Sequence, residues 1–246
     1  MTDWRARRGP IGVLTGAGIS TDSGIPDFRG PRGVWTENPI AELLSTYQNY
    51  VADPALRVRA WQARRDNPAW QATPNPAHLA LVRLAESGRQ VGIITQNIDR
   101  LHQRAGSGTV VEIHGNMFEV VCIDCEFTTS MATTLGRVAA GEPDPACPDC
   151  GGILKAATVM FGQQLDSDAI REAVHIAETA EVFLAVGSSL QVEPAASMCA
   201  VAVDAGADLV IVNAEQTPYD DYAAEIIREP IGDALPRLVS EILGDS

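Results

Sequence analysis

Four short runs of branched aliphatic residues, each leading straight into small or polar residues, constrain this chain more than any other feature. They are Ile11-Gly12-Val13-Leu14 before Thr15-Gly16-Ala17-Gly18, Val91-Gly92-Ile93-Ile94 before Thr95-Gln96-Asn97, Val182-Phe183-Leu184-Ala185-Val186 before Gly187-Ser188-Ser189-Leu190, and Leu209-Val210-Ile211-Val212 before Asn213-Ala214-Glu215. Runs this short and this rich in β-branched side chains read as buried strands and are too brief for helices. Helical patterns lie between them, at residues 167–180 and 194–205 among others. Strands that alternate with helices imply an α/β fold, a mainly parallel sheet with helices on both faces. In such a sheet ligands bind at the carboxyl ends of the strands, which is where these polar residues fall.

The glycines after the first run let the backbone turn sharply and approach a ligand, and free amides at a following helix start can hold a phosphate. Thr21 stands where a dinucleotide fingerprint carries its third Gly or Ala, so the motif alone fits either nucleotide binding or a tight turn. The next segment, GIPDFRGPRGVW, is barred from long regular structure by its prolines and glycines. It sets Asp27, Phe28 and Arg29 side by side, either as a loop that closes over a ligand or as a surface loop anchored by Phe28. After the second run, Gln96, Asn97 and Asp99 stand at the ligand edge, and Leu101 to Gly106 reads as a short helix closed by glycine. Val110-Val111-Glu112-Ile113 then delivers His114-Gly115-Asn116. His114 is either a strand cap or a general base, since imidazole titrates near neutral pH.

Elsewhere the chain reads as scaffold. An amphipathic helix is expected from Ala77 to Ser87, with Leu79, Leu81, Val82 and Leu84 on its apolar side and His78 in a structural role. Arg57, Arg59, Arg64 and Arg65 are expected mostly to face solvent, and Ala156 to Phe161 to form a strand. No apolar run approaches the roughly 18 residues of a membrane span, and no signal-peptide core follows the charged N-terminus, so a cytoplasmic location is expected. The net charge of −14 opposes a general nucleic-acid role, which relies on Lys and Arg releasing counterions, and favours a cationic protein partner.

Cys122-x₂-Cys125 and Cys147-x₂-Cys150 form two knuckles about twenty residues apart, the spacing of a zinc ribbon. Four thiolates fill a tetrahedral zinc and leave no open position, so the metal is expected to hold the fold and do no chemistry. Cys199 is left over and is expected in the core. The stretch from 121 to 152 interrupts the strand and helix alternation as an inserted zinc module would.

Taken in order, GAGISTDSGIPDFRG, TQNIDRLH, EIHGN, the paired cysteines, GSSLQVEPAA and IVNAE resemble the sirtuin family of NAD-dependent protein lysine deacylases over nearly the whole chain. The resemblance implies a Rossmann-like NAD-binding domain made of residues 1–120 and 153–246, with a helical insertion near 40–72 and a zinc-ribbon module at 121–152. NAD is implied as co-substrate, Zn²⁺ as a structural ion, and proteins carrying acylated lysine as partners, with a monomer favoured. Gly16, Ala17, Gly18, Asp27, Phe28 and Arg29 would hold the NAD diphosphate and cover the nicotinamide side. Gln96, Asn97, Ile98 and Asp99 would line the nicotinamide pocket. Gly187, Ser188 and Ser189 would contact diphosphate and ribose, Asn213 and Glu215 the adenosine ribose, and Asp233 and Ala234 the adenine. Val159, Met160, Phe161 and Gly162 would pair with the substrate peptide through backbone. In the implied reaction the acyl oxygen attacks the ribose anomeric carbon, nicotinamide departs, and His114 takes a proton from a ribose hydroxyl, with Asn97 and Asp99 assisting.

Two departures from the family pattern bear on the substrate. Gln163 follows Phe161-Gly162 where the family often has Glu, and Trp61 with Arg64 occupies the place of the Tyr and Arg of succinyl- and malonyl-preferring sirtuins. Half of that acid-recognising pair is missing, so removal of acetyl or other uncharged acyl groups is expected over desuccinylation. Mono-ADP-ribosyl transfer, hydride transfer and a zinc-ribbon nucleic-acid module are the other readings; the acidic charge opposes the last and the third-glycine mismatch opposes hydride transfer.

Overall fold

The computed structural model describes residues 3–27, 33 and 45–245. Along the described chain the strands are β1 (Ile11–Thr15), β2 (Val91–Thr95), β3 (Thr109–Glu112), β4 (Gly115–Cys122), β5 (Thr128–Ser130), β6 (Leu154–Thr158), β7 (Val182–Val186), β8 (Asp208–Val212) and β9 (Glu225–Ile227). The helices are α1 (Tyr47–Ala52), α2 (Pro54–Arg65), α3 (Pro76–Glu86), α4 (Leu101–Ala105), α5 (Met131–Ala139), α6 (Ser167–Thr179), α7 (Ser197–Asp204) and α8 (Ile231–Leu243). The chain divides into two compact units, residues 1–27, 72–113 and 166–246 in the first and residues 28–71 and 114–165 in the second.

The first unit is built on one parallel sheet in the order β3-β2-β1-β7-β8-β9. From β1 the chain fills one side of the sheet and then returns to β7 to fill the other. The order therefore reverses between β1 and β7, the crevice where open α/β sheets bind ligands. Register brings Thr15 level with Thr95 on one side and with Val186 on the other, so three carboxyl ends finish together.

Alternation along each strand feeds two cores. Val13, Ile93, Leu184, Val210 and Val212 point to one face with Leu81 and Leu84 of α3 and Leu235 and Leu238 of α8. Leu14, Ile94, Phe183, Leu209 and Ile211 point to the other, with Ala173 and Ala177 of α6 and Met198, Cys199 and Ala202 of α7. Burying a large aliphatic side chain in this way stabilises the fold by roughly 1.5–3 kcal/mol. That explains why these strands read as continuous apolar runs. Cys199 is fully buried, as its apolar surroundings in the sequence suggest.

Several elements differ from expectation. On α3 the buried stripe is Ala77, His78, Ala80, Leu81 and Leu84, while Leu79 is 52% exposed. Small alanines at the three- and four-residue spacing bring the helix close to its neighbours, and Leu79 falls outside that stripe. The helix expected at 194–205 is shorter, Ser197–Asp204, and β9 and α8 were not anticipated from the sequence. Among the described residues no helix is long and apolar enough to cross a membrane.

In the second unit the antiparallel sheet β5-β4-β6 packs Val120, Leu154 and Ala156 with Met131 of α5 and the fully buried Trp61 of α2. Two of the four arginines expected in solvent are drawn inward. Arg57 is 8% exposed, bonded to Asp144 and to the carbonyls of Tyr50 and Val51. Arg64 is half-buried with its guanidinium 5.8 Å from the Tyr50 ring centroid and 5.4 Å from that of Trp61. Arg59 and Arg65 are exposed.

Candidate cofactor and metal sites

Where the strand order reverses, the turns after β1 and β7 interlock through backbone. The Gly16 amide donates to the Val186 carbonyl (3.0 Å), the Gly18 amide to the Gly187 carbonyl (2.9 Å) and the Gly187 amide to the Val212 carbonyl (2.9 Å). A Cβ on Gly16 would sit 2.6 Å from the Gly187 oxygen, and one on Gly18 would sit 2.8 Å from the Gly187 Cα. Gly187 itself has φ +64, and its Cβ would lie 2.5 Å from the Ile19 nitrogen. Glycine at these positions is demanded by the two turns, and the result is a side-chain-free cradle beside the start of the 3-10 helix Ala17–Ser23. Leading amides of a helix have no intrahelical acceptor, which suits an anionic ligand. Gly187→Ala should combine left-handed strain with a backbone overlap and lower stability by about 3 kcal/mol; an unchanged thermal midpoint would contradict this geometry.

Behind the cradle lies a buried polar network. Asn97 Nδ2 donates to the Gly16 carbonyl (3.0 Å) and to Ser20 Oγ (3.2 Å), and Ser20 Oγ donates to Asp99 Oδ2 (2.8 Å). Asp99 Oδ1 accepts the Leu101 amide at 2.9 Å, and Gln96 Nε2 donates to Ser188 Oγ at 2.9 Å. Ser20, Asn97 and Asp99 are all less than 10% exposed. A buried carboxylate held only by neutral donors is costly unless those donors are fixed. Arg100 (φ 54) and Leu190 (φ 53) adopt left-handed backbone just beyond β2 and β7. Such strain costs about 1–2 kcal/mol per residue and collects at binding sites. Ser20 was not singled out in the sequence; it lies in the same loop as the glycines, but nothing in their spacing marks it.

The other predicted cofactor residues of this unit gather at the same sheet edge. Asn213 follows β8, with its amide on the Ile227 carbonyl (3.1 Å) and its Nδ2 on the Glu215 carbonyl (2.9 Å). Arg228, unmarked in the sequence, donates to the Asn213 and Glu215 carbonyls at 2.8 and 2.6 Å and so fixes this loop. Asp233 and buried Ala234 lie in the first turn of α8, whose Gly232 approaches Asp22 so closely that a Cβ would be 2.4 Å from Asp22 Oδ2. Ala17, Ile98 and Asp27 are half-buried. Phe28 and Arg29 lie outside the described residues.

Two histidines sit under the network. His102 Nε2 is 3.0 Å from Thr15 Oγ1, which is 2.9 Å from Thr95 Oγ1, and Thr95 Oγ1 accepts the Asn97 amide at 3.0 Å. The His78 ring lies against that of His102, with centroids 4.9 Å apart. Burial lowers His78 to about 4, opposed weakly by Asp99, and burial with His78 as neighbour lowers His102 to about 3. Both rings are therefore neutral in the folded protein, while the unfolded chain takes up protons below about pH 6.5. Their contribution to stability is intact above that pH and is lost as pH falls from about 6.5 toward the folded values. The expected loss approaches about 1.4 kcal/mol per pH unit for each histidine. A His78→Gln, His102→Gln double variant should show a shallower acid limb in denaturant titrations, and an identical slope would exclude these groups.

In the second unit, His114 precedes β4. Its carbonyl accepts the Val159 amide at 2.9 Å. Gly115 has φ +68, and a Cβ there would lie 1.9 Å from the Ala157 oxygen, so the turn presenting His114 admits only glycine. Asn116 Oδ1 caps the Phe118 and Glu119 amides at 3.0 and 3.1 Å. The strand expected through Phe161 stops at Thr158. Beyond it Phe161 bridges to Thr46, Met160 donates its amide to Gln163 Oε1 (3.1 Å), and Gly162 turns with φ +86. These bonds draw Met160 to Gly162 out of the β4 ladder.

The four cysteine sulfurs lie within 4.8 Å of one another, with Cys122 and Cys150 3.5 Å apart and Cys125 and Cys147 3.7 Å apart. Tetrahedral zinc at about 2.3 Å from each sulfur requires separations near 3.8 Å. The amides of Asp124 and Gly152 donate to Cys122 and Cys150 Sγ at 3.4 Å each, orienting the thiolates as second-layer bonds do in zinc knuckles. The residues present fit structural zinc, and with four thiolates no coordination position remains for catalysis.

The sheet order and the interlocked glycine turns define a dinucleotide-binding α/β protein with a four-cysteine metal site. The model of the Sir2 family matches residues 16–194. NAD-dependent protein deacetylase 2 of Streptomyces coelicolor is 54% identical over 231 residues, covering 93% of this chain and 96% of the relative. NAD-dependent protein deacylase 2 of Pyrobaculum aerophilum is 41% identical over 230 residues, covering 94% and 90%. A Sir2 structure with deacetylated p53 peptide and 3′-O-acetyl-ADP-ribose superposes with TM-score 0.88 at 36% identity, covering 99% of this chain and 96% of that one. A Sir2–p53 peptide–NAD⁺ structure gives TM-score 0.85 at 38% identity, covering 99% and 97%. The chain belongs to the Sir2, or sirtuin, family.

Proposed function

We propose that this protein is an NAD-dependent protein lysine deacylase, acting foremost on acetyl-lysine and yielding lysine, nicotinamide and O-acyl-ADP-ribose. The observation that carries this is the buried Asn97–Ser20–Asp99 network set against the glycine cradle at the point of strand reversal. The near-full-length likeness to proteins named NAD-dependent deacetylase supports it. We assign NAD binding to residues 1–120 and 153–246 and metal binding to 121–152, in a cytoplasmic, monomeric enzyme.

Bound NAD would supply an electrophilic ribose carbon, with nicotinamide as the leaving group. Ala17, Ser188 and Ser189 would hold the diphosphate through backbone amides and hydroxyls, while Gly16, Gly18 and Gly187, whose amides are committed to carbonyls, would let it approach bare backbone. Gln96, Asn97, Ile98 and Asp99 orient the nicotinamide end, and Asp27, Phe28 and Arg29 cover it. Asn213, Glu215, Asp233 and Ala234 receive the adenosine. His114 accepts the ribose hydroxyl proton, and Val159 to Gly162 receive the peptide backbone. The acyl preference rests on Trp61, which is fully buried in the core of the second unit and carries no phenol to bind a second carboxylate.

The test is incubation with an acetyl-lysine peptide, with and without NAD, following peptide mass and nicotinamide together. One nicotinamide released per acetyl group lost is expected. A gain of ADP-ribose mass on protein with the acetyl group retained would point to ADP-ribosyl transfer. A higher kcat/KM on a succinyl-lysine peptide would overturn the acyl preference alone.

A further inference from the structure

We propose that His102 and Thr15 are positioning residues for NAD, members of a buried hydrogen-bonded relay that runs from the Asn97 amide through Thr95 and Thr15 to His102. The proposal rests on the reading that Asn97 contacts the nicotinamide end of the cofactor.

Thr95 Oγ1 is the end acceptor of the relay. It takes the Asn97 amide at 3.0 Å and the Thr15 hydroxyl at 2.9 Å. With its own proton directed to Thr95, Thr15 Oγ1 accepts from His102 Nε2 at 3.0 Å, which places the ring proton on Nε2. Beyond His102, His78 Nδ1 lies 3.0 Å from Asn75 Oδ1 and 3.4 Å from the Asn75 amide.

Among the described residues His102 Nδ1 and His78 Nε2 are buried without a hydrogen-bond partner. The two rings meet by packing, with centroids 4.9 Å apart and planes tilted by 59°.

Groups on both sides of this cluster hold the cofactor edge. On one side the Asn97 side chain reaches the Gly16 carbonyl and Ser20. On the other, Asn75 Nδ2 donates to the Ile19 carbonyl (2.8 Å) and to Ser23 Oγ (3.0 Å), both in the 3-10 helix that follows the cradle. His102 is hydrogen-bonded toward the end of β2 and packs on His78, whose ring borders the Asn75 side chain that holds the turn after β1.

Thr15→Val exchanges the hydroxyl for a methyl of the same shape, His102→Phe removes the ring donors and acceptors, and His102→Gln keeps a polar group toward Thr15. KM for NAD and the inhibition constant of nicotinamide should each rise about tenfold in Thr15→Val and His102→Phe, the scale of one buried neutral hydrogen bond. KM for the acetyl-lysine peptide should stay unchanged. The double variant should be no worse than either single one, because both cut the same chain, and His102→Gln should recover most of the loss. Unchanged NAD KM with a lowered melting temperature in Thr15→Val would make the role purely structural and overturn the proposal. Asn97→Ala is measured alongside. If it shifts neither NAD KM nor nicotinamide inhibition, the pocket reading fails and the relay falls with it; if it shifts both and Thr15→Val shifts neither, the relay alone is wrong.

Discussion

His114→Ala is expected to lower turnover by 10²-fold or more while the protein keeps its fold, its metal and its affinity for NAD. Loss of a positioned general base typically costs about 10²–10⁴ in rate. The backbone around this residue does not depend on its side chain. The turn is set by Gly115 at φ +68, and the bond to Val159 uses the His114 carbonyl, which alanine retains. Single-turnover deacetylation with saturating NAD, together with NAD titration by fluorescence or calorimetry, separates chemistry from binding. Near-normal turnover would remove His114 from the proton-accepting role. Loss of NAD affinity as large as the loss of rate would move it into the binding pocket.

Cys122→Ala should release zinc and collapse the second unit. Cys122 is the last residue of β4 and is 7% exposed, so its sulfur is tied both to the metal and to the three-stranded sheet. Structural zinc supplies roughly 10–16 kcal/mol in isolated zinc-finger peptides. Even a third of that would lower the melting temperature by about 10 °C in a chain of this size. Elemental analysis of the purified variant and a thermal melt check the two parts separately. Full metal content with an unchanged midpoint would contradict the structural role.

Much of this was legible because the physics is local. A strand buried on both faces must be apolar throughout, and a thiolate pair with two residues between forms a knuckle wherever it occurs. The four runs, their ligand-bearing carboxyl ends and the metal ligands therefore stand in the sequence. What was hidden depends on partners far along the chain. Arg57 looked like a surface residue because its carboxylate, Asp144, is 87 positions away. The link between Thr15 and His102 also spans 87 positions, and no spacing announces it. Leu79 is apolar yet faces outward, because the alanine stripe sets the packing face of α3. The strand expected through Phe161 was shortened by one glycine turn and one glutamine side chain, neither of which interrupts an apolar pattern.

The metal-bearing excursion has a property beyond holding four sulfurs. It leaves β4 at Cys122, adds β5 to the edge of the sheet and returns as β6 at Leu154, and Cys122 and Leu154 are direct partners across the β4–β6 ladder. Its two ends are neighbours before a single residue of the loop is placed, so closure is secured by the ladder and by the knuckles inside it. Doubling the length of a flexible loop with fixed ends costs only about 0.6 kcal/mol. Length changes between α5 and Cys147 are thus thermodynamically cheap, whereas α5 itself carries Met131 and Val138 into the core and is not free to be exchanged.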